Sequence, residues 1–389
     1  MTAIPPPAPA QAELAARLQR LQGYLLQDPD NTHLLLDLID LCLALGLWQN
    51  AQPYLEHARQ LAPHDPYFQQ RQASVWMAQE NWAAANAVLE SLYRDMPDLI
   101  LAHDLAITRF RLGQYAAAQA CLQACLAQPS VPLASVILML RCLHHGGDLK
   151  SALALVQPYE VAAETSAEFW SVVSLLQLDA DNLPQAERCC RHALALAQDK
   201  TVLEALIVSG TLALGHADLT LAQQHFEQAL QIKPDEGRIW GGKGLIKLMQ
   251  QDWIAASADL EQAVIFMPRH IGTRHVLAWC KILAGDLASA RAILNAALAM
   301  DRNFGETHGG LAVVAAMSGQ TAEAQVLVRR SLGLNPQGMA ARFAQTLLAR
   351  QGNSPADLAR FQQEVAALLA SQSSPFGGSL TDLMQKMRP

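Results

Sequence analysis

The sequence lacks most of what would announce a catalytic or membrane protein. No apolar run reaches the ~18 residues needed to cross a bilayer as a helix, so direct membrane insertion is not expected. The opening MTAIPPPAPAQAEL has neither the charged start nor the apolar stretch of a secretory leader. The expectation is a cytoplasmic chain. Positive charge is in short supply: 28 Lys and Arg stand against 35 Asp and Glu, a formal charge of −7. Binding to nucleic acid or anionic lipid needs a basic surface, so neither is expected. The seven cysteines are an odd number, scattered over helical patterns and without paired CxxC spacing, which argues against a disulfide framework and a structural zinc site. They read as small apolar fillers in a reducing compartment. There is no GxxxxGK[ST], no GxGxxG after a strand, no HExxH and no GxSxG. No catalytic residue, metal or cofactor is expected.

What is present is periodicity. Ala217–Pro234 reads ADLTLAQQHFEQALQIKP, with Ala222, Phe226 and Ala229 spaced four and three apart on one helical face. Two alanines permit close approach of a neighbour, the Phe fills the gap between, and Pro234 ends the helix. Trp253–Pro268 repeats the register with Ala256, Leu260, Ala263 and Pro268. Pro29, Pro63 and Pro97 are 34 apart, as are Pro234 and Pro268, and Pro336 lies two periods further on. A small residue recurs as Ala51, Ala85, Ala118, Ala152, Ala186, Ala222, Ala256, Ala290 and Ala324. Gly46, Gly113, Gly147, Gly285 and Gly319 sit where a tight corner between two helices needs a left-handed residue.

This pattern resembles the tetratricopeptide repeat family, in which each unit is a helix A–turn–helix B pair. The resemblance implies an all-α protein, a right-handed α-solenoid superhelix of nine to ten such repeats forming one continuous domain. Residues 1–10 form a Pro/Ala-rich disordered tail and 11–29 an N-terminal capping helix. Nine repeats occupy 30–336, a degenerate tenth or C-terminal cap 337–370, and a flexible tail 371–389. The repeats at 132–165 and 166–199 lack the closing Pro. The repeat at 201–234 has an extra residue in its turn, Gly215-His216-Ala217-Asp218. The small residue usual in helix A of the family is often missing.

In this family the A helices line a concave groove. Residues 237–251 and 268–285 contain Lys, Arg and His and no acid. The resemblance therefore implies a basic inner surface made of Arg238, Trp240, Lys243, Lys247, Arg274, His275, Trp279 and Lys281, suited to an acidic peptide or a terminal carboxylate. The Asn of the family's carboxylate clamp is missing from these helices, and Lys243 and Lys247 fall at positions that commonly turn toward the core. Asp37 and Asp40 on the first A helix either face a basic partner or form a solvated face. Gly241-Gly242-Lys243-Gly244 follows no strand and reads as small residues for close helix packing, not a phosphate loop. Cys121-x3-Cys125, Cys189-Cys190-x-His192 and His144-His145 read as packing residues. In the tail, Ser379 and Asp382 form a capping pair, and Leu380, Leu383, Met384 and Met387 make an apolar stripe. That stripe docks on the chain's own solenoid or on a partner.

The resulting expectation is a non-catalytic scaffold or adaptor holding a protein or peptide, by family analogy in assembly of a bacterial secretion or envelope-biogenesis machine. A chaperone-like or regulatory peptide receptor is the alternative. Free solenoid ends also allow self-association.

Overall fold

A computed structural model of the chain describes residues 8–128, 130–197 and 202–349. Among them lie 20 α-helices and no strand. Helix α1 (Ala8–Leu25) comes first. Nine pairs follow: α2 (Thr32–Ala44) with α3 (Trp48–Leu61), α4 (Pro66–Ala78) with α5 (Trp82–Asp95), α6 (Leu99–Arg111) with α7 (Tyr115–Leu126), α8 (Leu133–His145) with α9 (Leu149–Val156), α10 (Ala167–Asp179) with α11 (Leu183–Ala197), α12 (Leu203–Gly215) with α13 (Leu219–Ile232), α14 (Gly237–Met249) with α15 (Trp253–Phe266), α16 (Ile271–Leu283) with α17 (Leu287–Met300) and α18 (Gly305–Met317) with α19 (Thr321–Leu334). Helix α20 (Met339–Ala349) follows them.

The corner inside each pair is built one way throughout. The residue two places after the first helix has positive φ in all nine: Gly46, Gly113, Gly147, Gly285 and Gly319, and also Glu80, Asp181, Ala217 and Gln251. The next residue often caps the second helix. Asp148, Asp218, Asp252 and Asp286 each accept a hydrogen bond from the amide three residues on, which satisfies one of the unpaired donors of a helix start.

Packing explains the small-residue columns. All nine alanines singled out on the second helices are fully buried. A matching position on the first helices, eight residues into each, holds Ala73, Ala106, Ser174, Gly210, Gly244, Ala278 and Ala312, all buried, and is bulky only as Ile39 and Leu140. The small residue of the first helix is therefore present in seven pairs, where the sequence alone suggested frequent loss. Phe226 shows what the smallness is for. A Cβ added to Gly210 would lie 2.8 Å from its ring, and one added to Gly242 in the next pair would lie 2.3 Å from it. A Cβ on Gly244 would lie 2.6 Å from Leu260. Gly242 and Gly244 thus serve helix approach, while Gly241 faces open space.

Three boundaries differ from expectation. Helix α1 begins at Ala8, inside the stretch assigned to a tail. Pro9 sits in its first turn, where no amide donor is required. The corner at 215–218 has the same length as the others. The extra residues of this repeat fall instead between the start of α11 at 183 and that of α12 at 203. The chain also divides into two compact units, residues 1–164 and 165–389, where one continuous domain was expected. At the end of the first unit, α9 stops after eight residues, followed by a 3-10 turn at Gln157–Tyr159. Pro158 lies where a full-length second helix would continue, and a Pro there removes a donor and clashes with the preceding turn. Leu101, Leu105 and Leu122 are buried in the first unit, and Phe226, Leu260 and Leu294 in the second.

Candidate functional site

Several of the residues expected to form a basic inner surface have partners within the chain. The Arg238 guanidinium forks onto the Asp179 carboxylate, donating from Nη1 at 2.9 Å and Nη2 at 2.7 Å. Asp179 closes α10, so the pair reaches across α12. Lys281 pairs with Glu261 of the preceding second helix at 2.8 Å. Lys243 lies over the Trp240 ring, 4.6 Å from its centroid. Lys243 and Lys247 both bear on Asp259 of α15, whose carboxyl burial nevertheless pushes above its ordinary range. His275 is a correction to the surface reading. It is 3% exposed, its Nε2 is 2.8 Å from Thr307 Oγ1, and its ring meets Phe304 edge-on. Burial pulls its pKa down to about 4, so it is neutral and offers a partner no charge.

Two of the expected anchors have a structural task. Trp240 Nε1 donates to the Pro234 carbonyl at 2.7 Å, and Arg274 Nη2 donates to the Pro268 carbonyl at 2.9 Å. His308 Nε2 contacts the Arg302 carbonyl at 2.9 Å and Arg342 Nη2 donates to that of Pro336 at 3.2 Å. Four consecutive pairs thus use the fourth residue of the first helix to tie down the carbonyl six places earlier, satisfying a backbone acceptor at the inter-pair loop. The chemistry differs at each, so no residue motif announces it. Trp279 meets the Phe343 ring of α20 at 6.3 Å between centroids, and the two flank α18.

The seven cysteines are all buried, and burial raises the Cys42 thiol to about 11 and those of Cys142, Cys190 and Cys280 to about 12. Such thiols are poor nucleophiles. Among the described residues no cluster of His, Cys, Asp and Glu could hold a metal ion, and no helix is long and apolar enough to cross a membrane. The tail stripe of Leu380, Leu383, Met384 and Met387, with the C-terminal part of the expected tenth repeat, lies outside the described residues.

The first unit has a different surface. Asp40 accepts both arms of Arg71, each at 2.8 Å. Arg109 pairs with Glu90, and Arg111 pairs with Glu80 while lying 4.7 Å from the Trp82 ring centroid. Tyr67 and Ile100 are 60% and 64% exposed, both at the second residue of a first helix. Asp104 is half-buried, and desolvation pushes its carboxyl up to about 6. This acidic and apolar surface was countable in the sequence but was eclipsed there by the basic stretches further on.

Comparison with known proteins agrees with the architecture. Tetratricopeptide repeat models match residues 103–167 and 281–350. No curated protein matches. Among solved structures, the Cut9 and Hcn1 assembly of the APC/C is 12% identical at a TM-score of 0.50, covering 98% of this chain and 89% of that one. YrrB, titled a TPR protein with an unusual peptide-binding site, is 18% identical at 0.40, covering 49% and 97%. PilF of Pseudomonas aeruginosa is 14% identical at 0.45, covering 55% and 96%. At 12% identity the likeness to the Cut9 and Hcn1 assembly is one of fold. The matched stretches begin in different units and share their register with every other described pair, so the chain as a whole is a tetratricopeptide repeat protein.

Proposed function

We propose that this chain is a non-catalytic scaffold that holds a protein or peptide partner on the surface of its first helices, in service of a larger assembly. The observation that supports the reading is apolar surface that stacking does not use. Every pair spends its alanines and its Leu or Phe on the neighbour, yet Tyr67 and Ile100 on first helices, and Ile254, Ile265 and Val326 on second helices, stay largely exposed. Repeat arrays present extended binding surfaces, and exposed apolar side chains that gather on one of them mark interaction sites. The family's known use in binding proteins and peptides points the same way, and assembly of a bacterial secretion or envelope machine remains within this reading. A regulatory peptide receptor is the second form it takes, with a short ligand in place of a folded partner.

Of the residues expected to form the basic surface, Arg238 and Lys281 are ion-paired within the chain, which leaves Arg274, Lys243 and Lys247 to answer an acidic ligand. The test is capture from native lysate with the tagged full chain, with sedimentation of the purified chain alone. A protein retained in stoichiometric amount supports the scaffold, and a retained short peptide supports the receptor. A chain that retains nothing and sediments as a monomer removes both. Loss of that partner in the Arg238→Ala, Lys243→Ala, Arg274→Ala variant would assign binding to the basic residues.

A further inference from the structure

The carboxylates of this chain are unevenly spread. Residues 28–107 hold 11 Asp and Glu against 3 Lys and Arg, a balance of −8 against −7 for the entire chain. Some of these acids are answered: Asp40 by Arg71, Glu80 by Arg111, Glu90 by Arg109, and Asp30 by His57 at 3.0 Å. Asp37, Asp65, Asp98 and Asp104 form no ion pair among the described residues.

Register places them. Counting from the start of α2, α4 and α6, the second position holds His33, Tyr67 and Ile100. The sixth holds Asp37, Arg71 and Asp104, and the ninth Asp40, Ser74 and Ile107. Positions two, six and nine share one helix face. The Arg71–Asp40 pair joins the sixth position of α4 to the ninth of α2 and so shows that these faces adjoin. Asp65 and Asp98 cap α4 and α6 beside Tyr67 and Ile100. The result is a row of His33 and the exposed Tyr67 and Ile100, bordered by carboxylates, whose one guanidinium is already held.

The same register in the second unit is different. Its sixth and ninth positions hold no carboxylate: Val172, Leu175, Val208, Leu245 and Val313 are buried there, and Thr211, Val276 and Trp279 half-buried. A solvated acidic face accounts for the carboxylates. It does not account for two large apolar side chains left 60% and 64% exposed at one register position of consecutive pairs.

We infer that this face of α2, α4 and α6 docks a cationic segment of a partner protein, which sets apolar side chains on Tyr67 and Ile100 and Lys or Arg against Asp37 and Asp104. Unpaired carboxylates select the charge, the Tyr67 ring adds a cation–π surface, and apolar contact supplies affinity that screening does not remove. The inference rests on the scaffold reading and specifies the sign of the partner's charge.

The probe is a short fluorescein-labelled peptide of alternating Lys and Leu, with a Glu and Leu counterpart, titrated into the full chain and followed by anisotropy. The expected result is saturable binding of the Lys peptide, weakened by added salt, and none of the Glu peptide. Tyr67→Ser with Ile100→Ser, which leaves the charge unchanged, weakens it at least tenfold, and Asp37→Asn with Asp104→Asn does so independently. Circular dichroism melts confirm that both variants stay folded. Equal binding by the variants, loss on Trp240→Ala with Lys243→Ala instead, or self-association abolished by Tyr67→Ser with Ile100→Ser would each overturn the assignment. Failure of the two readings is separable. If the captured partner is still retained by the combined Asp37, Tyr67, Ile100 and Asp104 variant, the scaffold stands and this surface falls.

Discussion

Four residues hold a backbone conformation that their side chains resist. Glu80, Asp181, Ala217 and Gln251 have φ between 58° and 65°, at the corner where five other pairs place Gly. A Cβ makes the left-handed region costly by about 1 kcal/mol or more. Ala217→Gly is therefore expected to stabilise the second unit by about 1 kcal/mol, read as a higher denaturant midpoint with unchanged slope. Gly285→Ala should do the reverse. His275 allows a prediction in pH. Its folded pKa of about 4 lies below the ordinary His value near 6.5, so the unfolded chain binds the proton more readily. The stability tied to a neutral His275 is fully present above pH ~6.5 and is lost progressively as pH falls toward 4, amounting to about 3 kcal/mol. His275→Gln should flatten that acid limb in melts taken from pH 7 to 4. Asp104 has the opposite sign. Its raised pKa of about 6 penalises the folded carboxylate above that value, so Asp104→Asn should raise stability at pH 7.5 more than at pH 4.5.

At the scale of the helix, Phe226 couples two pairs through Gly210 and Gly242. Gly242→Ala would drive a methyl into its ring, at 2.3 Å, a distance no packing tolerates. A loss of about 1–3 kcal/mol is expected from overpacking. Phe226→Leu in the same chain should recover part of it, by chemical denaturation in a double-mutant cycle; strict additivity would refute the coupling. The helices themselves were legible in the chain, because alanine and proline columns at a 34-residue spacing mark the second helices and the corners. Pro158 was equally visible as a breaker, yet its effect on α9 is seen only when the helix stops at Val156. The candidate surface was less legible. A stretch without acids looks basic in sequence, but Asp179 and Glu261 reach Arg238 and Lys281 from other helices, and linear charge counts cannot see such partners.

For the molecule as a whole, a repeat array makes stability a sum over neighbours, and this chain divides its helices between two compact units. Unfolding is expected in two resolvable steps. Trp48, Trp76 and Trp82 report the first unit and Trp170, Trp240, Trp253 and Trp279 the second. Phe226→Ala should lower the midpoint of one step by a core-cavity loss of about 3–5 kcal/mol and leave the other in place. A single shared transition that moves as a whole would show that the two units unfold as one.

Helix type, pair boundaries, corner positions and the repeat family follow from spacing along the chain, because interactions three and four residues apart and between adjacent pairs are short-range and recur every period. Where a charge is spent, whether a His faces water, and which small residue makes room for which ring depend on side chains 20 to 60 positions away. Arg238 and Asp179 are 59 apart, and His275 and Thr307 are 32 apart. Those choices belong to the packed molecule, where Arg238 and Lys281 meet carboxylates that the linear sequence keeps far from them.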